Sequence, residues 1–531
     1  MFFELKNNTH LLDFNLENGC DMVNIYKSGK HYADYGLFAN PTDFSSRSIY
    51  PDIISFLLKV NSRYEIILVF HIILLGIMGM MIFSLTLDLF HIKAVSFIAV
   101  TLLILFGPVW MYAMIILREF FSVFCSTAII VSFYGLMKRF SVINVFFFSM
   151  SNILAVLNRI NFAPLLLLSF IFFLILFFRY KMSIKKRVLI SSTFILALVI
   201  FSAPFLIRGR YYQQSVFRVL KKIENPKQFL TRAWSETKNF DGDTFLYDNP
   251  KGRKEILLRG TLKDIIAGHI PDIANWLGGY EIPDNVDYYQ FRSFSWILKL
   301  MRLDYALLCA FYLIGMIQLV RTQKVNLFII FIGLCFILLS LSFILTIPSS
   351  RYRLATIPFL VPVSGYAVYS SYRLIFNKKY LDILWIVVLI AGYYWIFGDI
   401  AKINERSNNS WFTYRYGELL MKKGQTEEAK REFQKAVFSS YRPTAPAYVE
   451  LAYLYFKENR FEEARSLIFS LKRMVPEEID GNYILAISYY QEKKYDKSLF
   501  WFNKYIEKCP AEMKPQIETI IRKLEHNLIN K

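Results

Sequence analysis

Cysteine and histidine are scarce in this chain. Five cysteines are spread over 531 residues. Cys125, Cys309 and Cys335 fall in apolar runs, and Cys20 and Cys509 sit in polar surroundings that imply exposure. No CxxC spacing occurs, which argues against a disulfide framework and against a cysteine metal site. The six histidines show no HExxH or similar ligand spacing, so a dedicated zinc centre is not expected. Residues 1–63 read as polar and mixed, with neither a signal-peptide pattern nor an apolar span. Acidic residues are few, 42 Asp and Glu against 62 Lys and Arg, for a formal charge of +20. That surplus calls for no nucleic acid, because cytoplasmic loops of membrane proteins carry an excess of Lys and Arg.

What the chain does have is apolar length. It is 55% hydrophobic and 17% aromatic, the composition of a membrane protein. Apolar runs at roughly 65–87, 94–114, 120–137, 142–157, 161–178, 188–207, 302–320, 326–347, 353–371 and 380–399 make about ten candidate spans. The fold class expected is all-α: a polytopic helix bundle over 64–400, followed by a second domain over 410–531. Alternate connections hold Lys138 and Arg139, then Arg179 to Arg187, then Arg321 and Lys324, then Arg373, Lys378 and Lys379. These basic loops mark the cytoplasmic face. The opposite face then carries 1–63, the turns at 114–119 and 158–161, the long loop 208–295, the head of the run SSRYRLATIP at 349–358, and everything after Asp399. Residues 1–63 would be exported with no span ahead of them, and a span lost upstream is the favoured explanation.

Several polar residues gather on that outer face. Asp21 lies in the first loop, and Tyr50 precedes Pro51 just before the first span. Arg118-Glu119 opens one span, and Arg159 stands in LNRINFAP at the head of another. Arg351, Tyr352 and Arg353 head the run that continues through Phe359. Singly, each charge reads as interfacial, with its aliphatic stem in the bilayer and its head in water. Together they place two acids and several arginines on one face, which suits an anionic lipid phosphate and an acceptor that must lose a proton. Arginine presents two parallel donors to a phosphate, which lysine cannot do.

The order of these pieces, from the acid in the first outer loop to S-R-Y-R-L-x-x-x-P, resembles the GT-C membrane glycosyltransferases. The nearest likeness is to the protein-O-mannosyltransferase-like and aminoarabinose-transferase-like group, which use polyprenyl-phosphate sugars. The resemblance covers about residues 15–400. It implies a catalytic acid at Asp21, a second acid at Glu119, and a donor-phosphate clamp of Arg351, Arg353 and Arg159. Tyr50, Tyr352 and His269 in the long loop are further candidates. Asp21 is followed by Met22, whereas the family often has an Asp-Glu pair there, which weakens the case for a metal; a divalent cation on Glu119 stays open. The implied chemistry is a single inverting displacement. Arginines would stabilise the departing phosphate, Asp21 would act as base on a hydroxyl, and Glu119 would orient the acceptor or support the cation. The stretch AGHIPDIANWLGGY could cover the site from the membrane interface.

From about 410 a pattern recurs with a period of about 34 residues, which resembles tetratricopeptide helix pairs. Gly417, Ala452 and Ala486 take the close-approach position in the first helices, and Ala429, Ala464 and Ser498 the matching place in the second. Tyr455 and Tyr489 fill an aromatic position, Pro476 and Pro510 close repeats, and Pro515–Asn530 forms a capping helix. The whole resembles repeat-bearing O-mannosyltransferases and bacterial surface-glycan enzymes. It implies transfer from a polyprenyl-phosphate sugar to an exported protein, lipid or glycan, with a protein acceptor held by the repeats. Membrane lipid is a further partner, and the setting is a bacterial inner membrane with the long loop and repeats outside the cytoplasm. Alternatives are an O-antigen ligase or polymerase using His269, and a non-enzymatic membrane scaffold.

Overall fold

The computed structural model describes residues 1–16, 21–37, 39, 48–211, 272–281, 286–345, 349–405, 409–438 and 444–529. Among them the secondary structure is helical throughout, without a strand, as the apolar periodicity predicts. The chain divides into two compact units, Met1–Asn404 and Glu405–Lys531. His269 and most of the long loop lie outside the described residues, as does Cys20.

In the first unit every expected apolar run is helical, nine of them as single helices and one as a broken pair. Among the described residues, seven helices are long and apolar enough to cross a membrane: Glu65–Phe90, Arg118–Lys138, Ile160–Arg179, Ile184–Ala203, Leu327–Ile344, Ser350–Phe376 and Tyr380–Phe397. Two shorter apolar helices, Val142–Asn158 and Tyr305–Arg321, accompany them. The run at 94–114, expected as one span, is a broken pair, Lys93–Leu105 and Gly107–Ala113, bent by 60°. The break sits at Phe106, which is extended (φ −80°, ψ 92°) ahead of Gly107-Pro108. A proline lacks an N–H and clashes with the preceding turn, and it is best accommodated in the first turn of a new helix. Polar side chains set other starts: Ser141, Asp304 and Asn326 each accept a backbone N–H two or three residues into the helix they open. These caps satisfy donors that a helix N-terminus leaves unpaired.

Helices in lipid gain little from the hydrophobic effect, so association rests on close packing through small residues. Gly315 meets the neighbouring helix at Val363, where a Cβ would stand 2.5 Å from the Val363 carbonyl oxygen. Gly365 meets Ala99 in the same way, at 2.9 Å from its Cβ. The Ser364 hydroxyl donates to the Leu308 carbonyl at 3.1 Å, which ties the same pair of helices. Elsewhere aromatic rings fill the interior: Phe133 touches Phe331, with centroids 3.9 Å apart, and packs edge-on to Phe172.

The ends of the bundle differ in chemistry. Lys138, Arg179, Arg321 and Arg373 lie in the last turns of their helices. Arg118 and Glu119 open the first of these helices, and Ser350–Arg353 precedes the last. Twenty residues of helix rise roughly 30 Å, about the hydrocarbon thickness of a bilayer. Arg118 and Lys138 therefore stand at opposite ends, and the candidate polar residues gather at the end away from the basic loops.

The second unit stacks three helix pairs: Asn409–Lys422 with Thr426–Phe438, Ala445–Lys457 with Phe461–Met474, and Asp480–Gln491 with Tyr495–Ile506. Gly417 lies against Phe433, where a Cβ would come within 2.5 Å of the ring. Ala429, Ala452, Ala464, Ala486 and Ser498 are fully buried, as the repeat reading requires. The Ser498 hydroxyl donates to the Ala486 carbonyl at 2.9 Å, joining the two helices of the third pair. The expected cap is the helix Lys514–Ile529, whose Ile517 and Leu524 share a core with Phe502 and Tyr505. Cys509, expected to be exposed, is buried in that core. A polar sequence neighbourhood did not report the cover that the capping helix supplies.

Gly315→Val tests the packing argument. A branched side chain against the Val363 backbone should cost about 1–3 kcal/mol, the usual range for overpacking. The expected result is a lower thermal midpoint for the full chain in detergent, with Gly76→Val, at a position where a Cβ meets nothing within 4 Å, as the silent control.

Candidate functional site

Four segments bring charged groups together at the end of the bundle away from the basic loops. Asp21 is the first residue of the helix Asp21–Tyr35. Arg118 and Glu119 open Arg118–Lys138, and Arg159 follows Val142–Asn158 in extended conformation. Arg351 and Tyr352 sit in the short helix Ser350–Arg353.

Backbone irregularity there is held by two asparagines. The Asn15 amide donates to the Met114 carbonyl at 3.1 Å and accepts the Ile116 N–H at 2.8 Å, fixing the loop before Arg118. The Asn158 amide donates to the Arg118 carbonyl at 3.1 Å and to the Ser122 hydroxyl at 2.8 Å, and it accepts from Ser48 at 3.2 Å. Sequence reading did not single out either as a brace. Asn158 stands inside the N-R-x-N motif, but Asn15 carries no signal beyond being polar.

The charges interlock. Arg351 donates from Nη1 to Asp21 Oδ2 at 3.1 Å and from Nη2 to the Tyr352 hydroxyl at 2.6 Å, while its Nε lies 3.4 Å from Glu119 Oε1. Arg159 donates from Nη2 to the same Glu119 oxygen. Both guanidiniums also lie against the Tyr352 ring, Arg159 at 4.1 Å and Arg351 at 4.7 Å from its centroid. Arg118 shares the field, with Arg159 and Arg351 as like-charged neighbours and Glu119 as an opposite one. Side-chain exposure is 3% for Glu119, 5% for Arg159, 11% for Arg351 and 15% for Asp21. The expected Asp21, Glu119, Arg159, Arg351 and Tyr352 thus converge.

Two consequences follow from burial. Ions removed from water cost several kcal/mol each unless paired, and among the described residues this group holds three guanidiniums against two carboxylates, a surplus of positive charge. Glu119 Oε2 and Arg159 Nε are moreover buried with no hydrogen-bond partner. The surroundings attract an anion. To a cation Glu119 offers only Oε2, because Oε1 is already shared between two guanidiniums. Among the described residues no group of three His, Cys, Asp or Glu is placed to hold a metal ion.

Arg353 departs from expectation. Its Nη1 donates to the carbonyls of Trp276 at 3.2 Å and Gly278 at 2.7 Å, and its Nη2 to the Tyr280 carbonyl and Glu281 at 2.7 and 2.6 Å. Its guanidinium also rests 4.5 Å from the Tyr305 ring. Residues two apart on a helix point roughly 200° apart, so Arg351 and Arg353 cannot both face one phosphate. Arg353 fastens 272–281 to the bundle, with Trp276 buried and stacked on Phe343 at 5.7 Å. That stretch is packed rather than laid loosely over the site. Tyr50 is likewise internal: its hydroxyl bonds His71 Nε2 at 2.5 Å, and His71 Nδ1 lies 3.1 Å from the Ala113 carbonyl. Burial, with Glu119 adding, keeps the Tyr50 phenol neutral far above its ordinary range.

Two segments, residues 413–437 and 445–468, match the tetratricopeptide repeat family. They coincide with the first two helix pairs. No curated protein and no solved structure matches the chain.

Asp287, missed in the sequence, offers a pH test beside this assembly. Its Oδ1 accepts the N–H groups of Tyr289 at 2.8 Å and Gln290 at 3.3 Å, whereas Oδ2 is buried without a partner. Burial pushes the carboxyl up from 3.8 to about 6, against those two hydrogen bonds. The fold favours the protonated form, so its stabilisation is complete below about 3.8 and lost as pH rises through about 6. Asp287→Asn keeps a capping oxygen without the charge. Relative to that variant, the native chain should lose about 2–3 kcal/mol between the acid and neutral ends of this window. Melting both across it is the check, and a pH-independent difference would count against the assignment.

Proposed function

We propose that the chain is an integral membrane glycosyltransferase that moves a sugar from a polyprenyl-phosphate donor to an exported acceptor. The observation that carries this reading is the buried surplus of guanidinium over carboxylate at the heads of apolar helices. A site of that charge, level with a bilayer surface, suits a lipid whose phosphate sits at the headgroup level. Arg351 and Arg159 would bind the phosphate and stabilise it as it leaves. Asp21, the more exposed carboxylate, would take the proton of an acceptor hydroxyl. Glu119 holds the two arginines in place. The tetratricopeptide array would recruit a protein acceptor or partner, since stacked helix pairs offer an extended concave surface.

A scaffold without catalytic activity is the second reading; the repeat match favours it and says nothing of sugar transfer. The ligase alternative rests on His269, outside the described residues, and no observation supports it further.

Transfer from radiolabelled polyprenyl-phosphate sugars by the purified full chain separates the readings. Asp21→Asn and Arg351→Ala should each lower turnover about a hundredfold to ten-thousandfold, with the fold retained. Removing 410–531 should abolish transfer to the native acceptor while leaving donor binding intact. Turnover indifferent to Asp21 and Arg351 would defeat the assignment, and failure with every donor would leave the scaffold. The proposed sidedness, an extracytoplasmic site and repeat unit in a bacterial inner membrane, predicts that a periplasm-active reporter is active when fused after residue 405 and silent within 181–187.

A further inference from the structure

Three groups surround the Arg351 guanidinium. Nη1 holds Asp21, Nη2 holds the Tyr352 hydroxyl, and Nε lies beside Glu119. Nη1 and Nη2 form the outer fork of this guanidinium, and Asp21 and the Tyr352 hydroxyl each already take an N–H from it, so a phosphate seated on that fork brings a second anion against Asp21. The three are not held equally. Tyr352 is the next residue in the same short helix, and its ring stacks on Phe343 at 5.4 Å. Glu119 is fixed a second time by Arg159 and is the most buried of the acids. Asp21 comes from a separate helix and is the most exposed member of the pair network.

We propose that the donor phosphate and Asp21 compete for Arg351, so that Asp21 is released for its role as base only when the donor is bound. The inference rests on the glycosyltransferase reading and adds an order of events to it. Without donor, Arg351 holds Asp21 in an ion pair, and the base cannot turn to a hydroxyl. The incoming phosphate takes Nη1, and Asp21 is freed at the moment a sugar is present to be transferred. The acceptor oxygen then bonds to the sugar C1, the bond from C1 to the phosphate oxygen breaks with its electron pair staying on the phosphate, and the acceptor proton passes to Asp21. Arg351 thus acts as a positioning residue toward Asp21 in addition to binding phosphate.

The position of the helix bearing Asp21 is set tightly enough for such a contact to matter. Gly29 abuts Ile54 so closely that a Cβ there would stand 2.3 Å from Ile54 Cγ2. The helix cannot approach Ile54 further, and the release proposed for Asp21 is a side-chain movement.

The test reads Asp21 itself. The full chain in zwitterionic nanodiscs is treated with a water-soluble carbodiimide and an amine, and labelling of Asp21 and Glu119 is measured by peptide mass spectrometry. The probe is undecaprenyl phosphate, with its binding followed separately by native mass spectrometry; undecaprenol serves as the phosphate-free control. The expected result is a several-fold rise in Asp21 labelling with undecaprenyl phosphate, none with undecaprenol, and Glu119 unlabelled throughout. In Arg351→Gln, Asp21 should label at the high level from the start and ignore the lipid. Should that variant misfold, Arg351→Lys, which keeps the charge but loses the fork, is expected to show an intermediate starting level. Binding of undecaprenyl phosphate with Asp21 labelling unchanged or lowered would overturn the competition while leaving the donor site intact. A rise with undecaprenol would also overturn it. Failure of the lipid phosphate to bind would remove both the competition and the donor reading.

Discussion

The ion pair between Arg351 and Asp21 joins residues 330 positions apart in sequence, and much of the first unit is arranged so that such pairs can form. Charges at the head of apolar helices are tolerated only where they meet partners. Arg351 and Arg159 lean on one tyrosine ring and one carboxylate, so the turn at 158–162, the loop before Arg118 and the helix Ser350–Arg353 must all reach the same place. The asparagine braces follow from this requirement. A loop that ends at a buried charge exposes backbone groups that need partners of their own, and Asn15 and Asn158 supply them.

A second constraint acts on the helices themselves. The polar cluster fixes only one end, and lipid offers no hydrophobic push between spans, so alignment along the remaining length rests on steric fit. Gly315 against Val363 and Gly365 against Ala99 place the helix 357–376 within backbone contact of two neighbours. That helix follows directly from the segment bearing Arg351 and Arg353. Packing along it sets which way each arginine faces: one toward the acidic pair, the other toward the carbonyls of 276–280.

The apolar helices were legible because hydrophobic length is a one-dimensional signal, and each of the runs read from sequence is helical. The break at Phe106 was not read, since Gly107-Pro108 lowers the mean hydropathy of an otherwise apolar run too little to divide it. The repeat unit was legible from small residues at a fixed period. Cys509 was misplaced because its cover comes from a helix that starts at Lys514. At the site, the meeting of Asp21, Glu119, Arg159 and Arg351 was readable from their shared face, Asp21 in the first outer loop and the other three at span heads. The separation of Arg353 from Arg351 was readable too, in principle, from helical geometry, but a motif quoted as a string hides the angle between its residues.

That angle decides how the charges in SSRYRLATIP divide their labour. Arg353, buried and bonded to four carbonyls and Glu281, has neither the room nor a spare fork for a ligand. Arg351 stands 200° around the helix, among side chains whose positive charge is not fully matched. A guanidinium given wholly to backbone carbonyls builds structure, because those partners cannot leave. A guanidinium shared with a carboxylate from another helix can exchange that partner for a different anion at little cost, since one charge-assisted contact replaces another. The same residue type, two positions apart, therefore serves as an anchor in one case and as an exchangeable contact in the other, and the difference lies in whether its partners are covalently part of the wall or free to turn away.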